Sequence, residues 1–209
     1  MALMSFYHEH ILPHLIALTC SQPQIMKKRS QVVPAAEGRV LEVGFGSGTN
    51  LEFYDPVRVE RLFALEPSKG MRRKARDAVD KSPLEIEWLD LPGEEIPLDD
   101  ASVDTVVLTY TACTIPDVEA ALAQMRRVLK PGGKLLFSEH GRAPDPGVAK
   151  WQRRIEPVWK PIAGGCHLTR KPDALIAQAG FRIARMEEGY LPKSPKFAAY
   201  NYAGAAVPA

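Results

Sequence analysis

A short apolar run, Val40-Leu41-Glu42-Val43, leads without a break into three glycines spaced by single residues, Gly44, Gly46 and Gly48. Two β-branched valines favour a strand, and glycines let the following backbone turn sharply and pass close to a ligand. A strand that ends in such a turn is where a doubly wound α/β sheet binds a nucleotide-like molecule. Taken alone the pattern also fits an ordinary loop, so its meaning rests on the chain around it.

That chain alternates. Short apolar runs recur at Leu62–Leu65, Leu84–Leu89, Val103–Leu108, Leu135–Ser138 and Phe181–Met186, with helix-compatible segments between several of them. Alternation of this kind predicts an α/β fold, a Rossmann-like, mostly parallel sheet with helices on both faces. The clearest helix is Val118–Leu129, where Val118, Ala121, Leu122, Met125, Val128 and Leu129 form one apolar stripe closed by Lys130-Pro131-Gly132-Gly133. After Gly180 the order changes to a strand, a Pro-punctuated loop through Pro192 and Pro195, and a second strand at Phe197–Ala203. With no helix between them, these two can pair antiparallel.

Ahead of the first strand, Phe6–Leu18 has helical spacing with Pro13 in its middle, which predicts a helix kinked or entered at the proline. At 209 residues the chain fits a single domain. Residues 1–37 then read as an N-terminal helical lid and residues 141–172 as a substrate-side insertion carrying Trp151 and Trp159. The formal net charge of +2 offers no strong field for nucleic acid. Arg72, Arg73, Lys74 and Arg76 read as the solvated face of a helix, because no aromatic residues are interleaved to stack bases.

Three cysteines, Cys20, Cys113 and Cys166, are an odd number without a C-x-x-C spacing. They suggest neither a disulfide framework nor a zinc knuckle, so a reducing, cytoplasmic setting and no metal are expected. The apolar stretch Ile11–Cys20 is broken by Pro13 and His14 and is too short to span a bilayer, so no stable membrane insertion is expected.

Glu66 lies at the end of the second apolar strand, about 20 residues beyond the glycines, where a carboxylate can accept both hydroxyls of a ribose. The third glycine, Gly48, is followed by Thr49, a departure from the dinucleotide fingerprint. Glu42 just before the turn would repel a pyrophosphate, yet it suits the ammonium of a methionine moiety. A nicotinamide oxidoreductase is therefore disfavoured.

Through Glu42–Gly48, Leu65-Glu66-Pro67-Ser68, Gly93-Glu94-Glu95-Ile96-Pro97, Val103–Val107 and Leu129–Gly133, taken in that order, the sequence resembles the class I S-adenosylmethionine-dependent methyltransferases of the type 11 group. The resemblance implies a seven-stranded sheet with a final antiparallel pair, and S-adenosylmethionine as cofactor with S-adenosylhomocysteine as product. It implies that Glu42, Gly44 and Gly46 serve the methionine end, Glu66 the ribose, Gly93 and Glu94 the adenine neighbourhood and Thr109 the sulfonium region, with Phe45 and Pro67 also among the cofactor-binding residues. Many members carry an aspartate where this chain has Pro92, and Glu94 or backbone groups take its place. Tyr7 corresponds to aromatic residues of leading helices that close over the cofactor.

Glu139-His140, Trp159 and Gly164–Arg170 resemble the methyltransferase-like 7 branch, whose members methylate alkyl thiols. That narrower resemblance implies a small-molecule methyl acceptor, an alkyl thiol. His140 and His167 are the candidate proton acceptors, because both should face the carboxyl edge of the sheet. The competing reading is a non-catalytic protein that binds the cofactor as a sensor or scaffold, which would have no need of the insertion as a second pocket.

Overall fold

The computed structural model describes residues 7–209. Seven strands form one sheet: β1 Gly38–Val43, β2 Val59–Leu65, β3 Ile86–Leu89, β4 Val103–Thr109, β5 Leu129–His140, β6 Phe181–Tyr190 and β7 Tyr200–Pro208. Their order is β3-β2-β1-β4-β5-β7-β6. The first five are mutually parallel, and β7 runs antiparallel to both β5 and β6.

The sheet separates two cores. Leu41 and Val43 of β1 belong to the cluster that contains α4 (Val118–Val128), while Val40 belongs to the cluster on the opposite face, with Val32 and Ala75. A strand buried on both sides has no polar alternation, as expected for the middle of a parallel sheet. The opposite-face helices are α2 (Pro23–Val32) and α3 (Lys69–Asp80). Each of α3 and α4 starts where a side chain caps it: Ser68 accepts from Met71 N at 3.3 Å, and Asp117 accepts from Ala120 N at 3.0 Å. The stripe Val118, Ala121, Leu122, Met125 and Val128 is fully buried. On the outer side of α3, Arg72 pairs with Asp90 at 2.6 Å, and Arg73 and Arg76 are exposed.

The N-terminal helix α1 (Leu12–Cys20) has Pro13 in its first turn, so the chain enters the helix at the proline. One π-helical turn, Tyr7–Ile11, precedes it, and Phe6 lies outside the described residues. The insertion after β5 contains α5 (Pro146–Ile162), with Pro157 and Pro161 inside it, followed by a turn and α6 (Pro172–Gln178). Among the described residues no helix is long and apolar enough to cross a membrane.

The structure extends or trims several expected elements. The run at Leu84 begins pairing only at Ile86, and β5 is longer than its apolar centre because Leu129 and Lys134 already pair with β4. The expected strand Phe197–Ala203 is divided: Lys196–Ala199 forms one helical turn, α7, and pairing with β5 starts at Asn201. Pro195 sets up that turn just before it.

Within the terminal pair, a bulge between Ile183 and Arg185 drives the Arg185 carbonyl against Gly204, where an added Cβ would lie 2.0 Å from the oxygen. Gly204→Ala should therefore cost about 1–3 kcal/mol by overpacking. Urea unfolding should show a lower midpoint with an unchanged slope, whereas an unchanged midpoint would mean the two strands are looser than described.

Candidate active site

The carboxyl ends of β1, β2 and β4, with the loop after β3, open onto a cleft of about 390 Å³. The turn after β1 forms its floor. Gly44 has φ +72°, and a Cβ there would lie 2.2 Å from the Thr111 side chain. Only glycine combines that left-handed backbone with so close an approach. Phe45, Gly46, Pro67, Met71, Gly93 and Thr109 also line the cleft.

Glu66, almost wholly buried, faces the cleft from the end of β2. Its carboxylate accepts from Gly46 N at 2.9 Å and from Ser68 N at 2.8 Å. Burial raises its pKa, and those two amides work in the opposite direction. Each oxygen keeps a second lone-pair site for an incoming hydroxyl. Glu94 lines the cleft farther along; it accepts from Asp117 N at 3.0 Å, but its buried Oε2 has no hydrogen-bond partner among the described residues. A buried acceptor without a donor suits a ligand amine.

Arg29 of α2 also reaches the cleft, 3% exposed yet lining it. Its Nη1 donates to Asn50 Oδ1 at 2.9 Å and to Thr109 Oγ1 at 2.6 Å, while its buried Nε has no partner among the described residues. Sequence reasoning passed over Arg29, which lies in a stretch with no motif. A buried guanidinium with a spare donor fits a ligand carboxylate.

Glu42 does not line the cleft. Its two oxygens accept from Asn50 Nδ2 at 2.8 Å and Tyr54 OH at 2.7 Å, so it lies behind the floor and orients Asn50, which in turn holds Arg29. Burial pushes its pKa up to about 7, with Tyr54, Arg29 and Asn50 acting to lower it.

Tyr7 also stays off the cleft, donating through its hydroxyl to Ile162 O at 2.7 Å. It ties the turn before α1 to the end of α5. The cover over the cleft comes from Leu12, Pro13, Ile16, Ala17 and Cys20 of α1 instead. Trp151 is 53% exposed, and Trp159 packs edge-on against Phe197 at 5.6 Å, so neither lends its ring to the cleft.

The two expected proton acceptors are engaged elsewhere. His140, at the end of β5, has Nε2 3.3 Å from Cys166 Sγ. His167 Nδ1 lies 3.3 Å from Glu156 Oε1, and neither ring lines the cleft. Burial would depress the His140 pKa, but the charge on neighbouring Cys166 raises it above the ordinary value. The Cys113 thiol beside Cys166 and then the His140 ring pull Cys166 below the usual thiol range, while Cys113 is raised.

The family model described as a methyltransferase domain matches residues 41–137, which run from β1 through β5. A thiol S-methyltransferase, TMT1B of Rattus norvegicus, is 36% identical over 72% of this chain and 63% of its own length. Human thiol S-methyltransferase TMT1A is 30% identical over 77% of this chain and 67% of its own length. The chain belongs to the class I S-adenosylmethionine-dependent methyltransferase family. A solved S-adenosylmethionine-dependent methyltransferase from Thermotoga maritima superposes with a TM-score of 0.64 at 20% identity, covering 98% of this chain and 99% of that one, and so shares the fold.

The Glu42 environment sets a pH dependence. Its folded pKa, about 7, exceeds the ordinary 4.5, so its contribution to stability is full below pH 4.5 and is lost as pH rises through 7. Glu42→Gln should flatten the loss of stability between pH 4.5 and 7 in urea unfolding. Parallel profiles for the two proteins would show that Glu42 titrates normally.

Proposed function

We propose that the cleft binds S-adenosylmethionine and that the protein transfers the cofactor's methyl group to a small alkyl thiol. The observation that carries the cofactor assignment is the trio of unsatisfied or half-satisfied groups along one cleft: the Arg29 Nε donor, the Glu66 carboxylate and the Glu94 Oε2 acceptor. Their chemistry matches a carboxylate, a ribose diol and an adenine amine respectively.

In this reading Arg29 takes the methionine carboxylate, and Thr109 and the backbone around Gly44 and Gly46 position the rest of the amino acid. Glu66 accepts the ribose hydroxyls, with Pro67 and Met71 packing beside it, and Glu94 at Gly93 accepts the adenine amine. Glu42 acts one layer back by orienting Asn50. Helix α1 lies over the cleft as a lid, and its apolar Leu12, Pro13 and Ile16 exclude water. When bound, the cofactor supplies an electrophilic methyl on a sulfonium, taken by the acceptor sulfur in an in-line displacement that leaves the departing electron pair on the cofactor's sulfur. The chain's task is then mainly alignment.

The thiol acceptor rests on the relatives named thiol S-methyltransferases and on the small, largely apolar cleft, which offers no phosphate-binding stripe. A non-catalytic cofactor sensor is not favoured, because the relatives that the chain matches are named as enzymes. A cytoplasmic setting suits three cysteines that are all free thiols.

Two measurements test this. Labelled cofactor should methylate a simple alkanethiol, with a rate that rises with pH as a larger share of the acceptor is thiolate. Efficient methylation of a phenol, amine or lipid with none of any thiol would overturn the acceptor. Glu66→Ala should weaken S-adenosylhomocysteine binding by about a hundredfold, the loss of charge-assisted bonds to two hydroxyls. Unchanged affinity in the folded variant would remove Glu66 from the ribose.

A further inference from the structure

Outside the cleft, one group of side chains has chemistry that the proposed cofactor site does not use. Cys113, His140 and Cys166 come from the loop after β4, the end of β5 and the turn after α5, and their ligating atoms all lie within 4.8 Å of one another. Both cysteines are buried and unoxidised, and Cys166 Sγ stands 3.3 Å from His140 Nε2. Metal–sulfur and metal–nitrogen bonds of about 2.3 and 2.0 Å place ligand atoms on the edges of a tetrahedron about 3.5–3.8 Å apart. The three side chains need to shift by less than about 1 Å to meet that geometry around one ion.

The cluster is braced from several directions. His167 N donates to Cys113 O at 2.8 Å, fixing the two loops against each other. Arg170 donates to the carbonyls of Ala112, Ile115 and Pro116, and Glu139 accepts from the amides of Thr111 and Ala112. Loops held this firmly present their ligands before any ion arrives. Buried unpartnered atoms also gather here: His140 Nδ1 and Glu139 Oε2 have no hydrogen-bond partner among the described residues. Polar atoms without partners in a buried site point to an occupant.

The geometry points to a three-ligand site for a thiophilic divalent cation of the zinc class, formed by Cys113, His140 and Cys166, with its fourth position open to the acceptor's sulfur. Two thiolates balance the dication, so the buried site carries no net charge, and sulfur with imidazole selects zinc over magnesium or calcium. Four protein ligands mark a structural zinc, whereas three leave a place for a reactant. Thr114 and Gly164, which line the cleft, lie one and two residues from Cys113 and Cys166, so the site adjoins the cleft wall. The acceptor role rests on the thiol reading. A thiol bound there gives its proton to solvent, its sulfur attacks the methyl carbon as the methyl–sulfonium bond breaks and leaves its electron pair on the cofactor's sulfur, and the neutral thioether, a poorer ligand, departs.

The test is the zinc content of the purified chain, with cobalt substitution as a second readout. The expected result is about one zinc per chain, with thiolate-to-cobalt charge-transfer bands that change when ethanethiol is added. Cys113→Ser and Cys166→Ser should each lower zinc affinity by at least the 10- to 100-fold that loss of an outer-shell partner costs. S-adenosylhomocysteine binding serves as the check that each variant folds. A folded wild type that binds neither zinc nor cobalt, or one whose Cys113 and Cys166 form a disulfide instead, overturns the site. Cobalt bands indifferent to ethanethiol overturn the acceptor role. Thiol methylation by a zinc-free protein rejects the metal's acceptor role and leaves the thiol reading standing, whereas bound zinc without thiol methylation keeps the site and rejects the thiol reading.

Discussion

The order of the strands leaves a crevice that packing cannot close. The chain leaves β1 toward β2 on one side and leaves β4 toward β5 on the other, so the loops beyond these neighbouring strands diverge. Everything that handles a ligand follows from that divergence. The turn at Gly44 and Gly46, Glu66 at the end of β2 and Thr109 at the end of β4 come together because parallel strands deliver their carboxyl ends to one edge.

A crevice in an apolar sheet is useful only if its polar groups are held, and here they are held from behind. Glu42 is the one charged side chain of β1 that is fully buried, and it spends both oxygens on Asn50 and Tyr54. Asn50 in turn meets Arg29 and Thr109. The resulting chain of hydrogen bonds fixes a guanidinium in the crevice without leaving a bare charge in the core. The insertion does the corresponding work at the far side, where Arg170 straps the loop after β4 and brings Cys113 beside Cys166.

The middle of the sheet was legible in the sequence because β1, β2, β4 and the centre of β5 are buried on both faces and announce themselves as apolar runs, and its end because the missing helix after Gly180 implied an antiparallel pair. The cofactor turn and Glu66 were legible for the same reason: both lie within a residue or two of a strand end. Arg29 was not, since its partner Thr109 is 80 positions away and α2 carries no pattern that marks the contact. Glu42 was expected to meet the ligand directly, but strand alternation points it to the α2 and α3 side, where Tyr54 captures it. The Cys113, His140 and Cys166 cluster has no characteristic spacing, because a loop, a strand end and a turn far apart in sequence bring it together. Trp151 and Trp159 show the same limit from the other direction, since an aromatic residue in an insertion reads alike whether it faces a pocket, the solvent or Phe197.

The central claim is that this crevice is shaped for an adenosine carrying an amino-acid tail, with Arg29 receiving the tail's carboxylate. Calorimetric titration of S-adenosylhomocysteine and of 5′-methylthioadenosine, which lacks the tail, tests it directly in the wild type and in Arg29→Met. The account predicts that the substitution weakens S-adenosylhomocysteine by roughly 10- to 100-fold, the worth of a charge-assisted hydrogen bond, and leaves methylthioadenosine within about threefold. An equal loss for both ligands, or no loss for either in the folded variant, would contradict it.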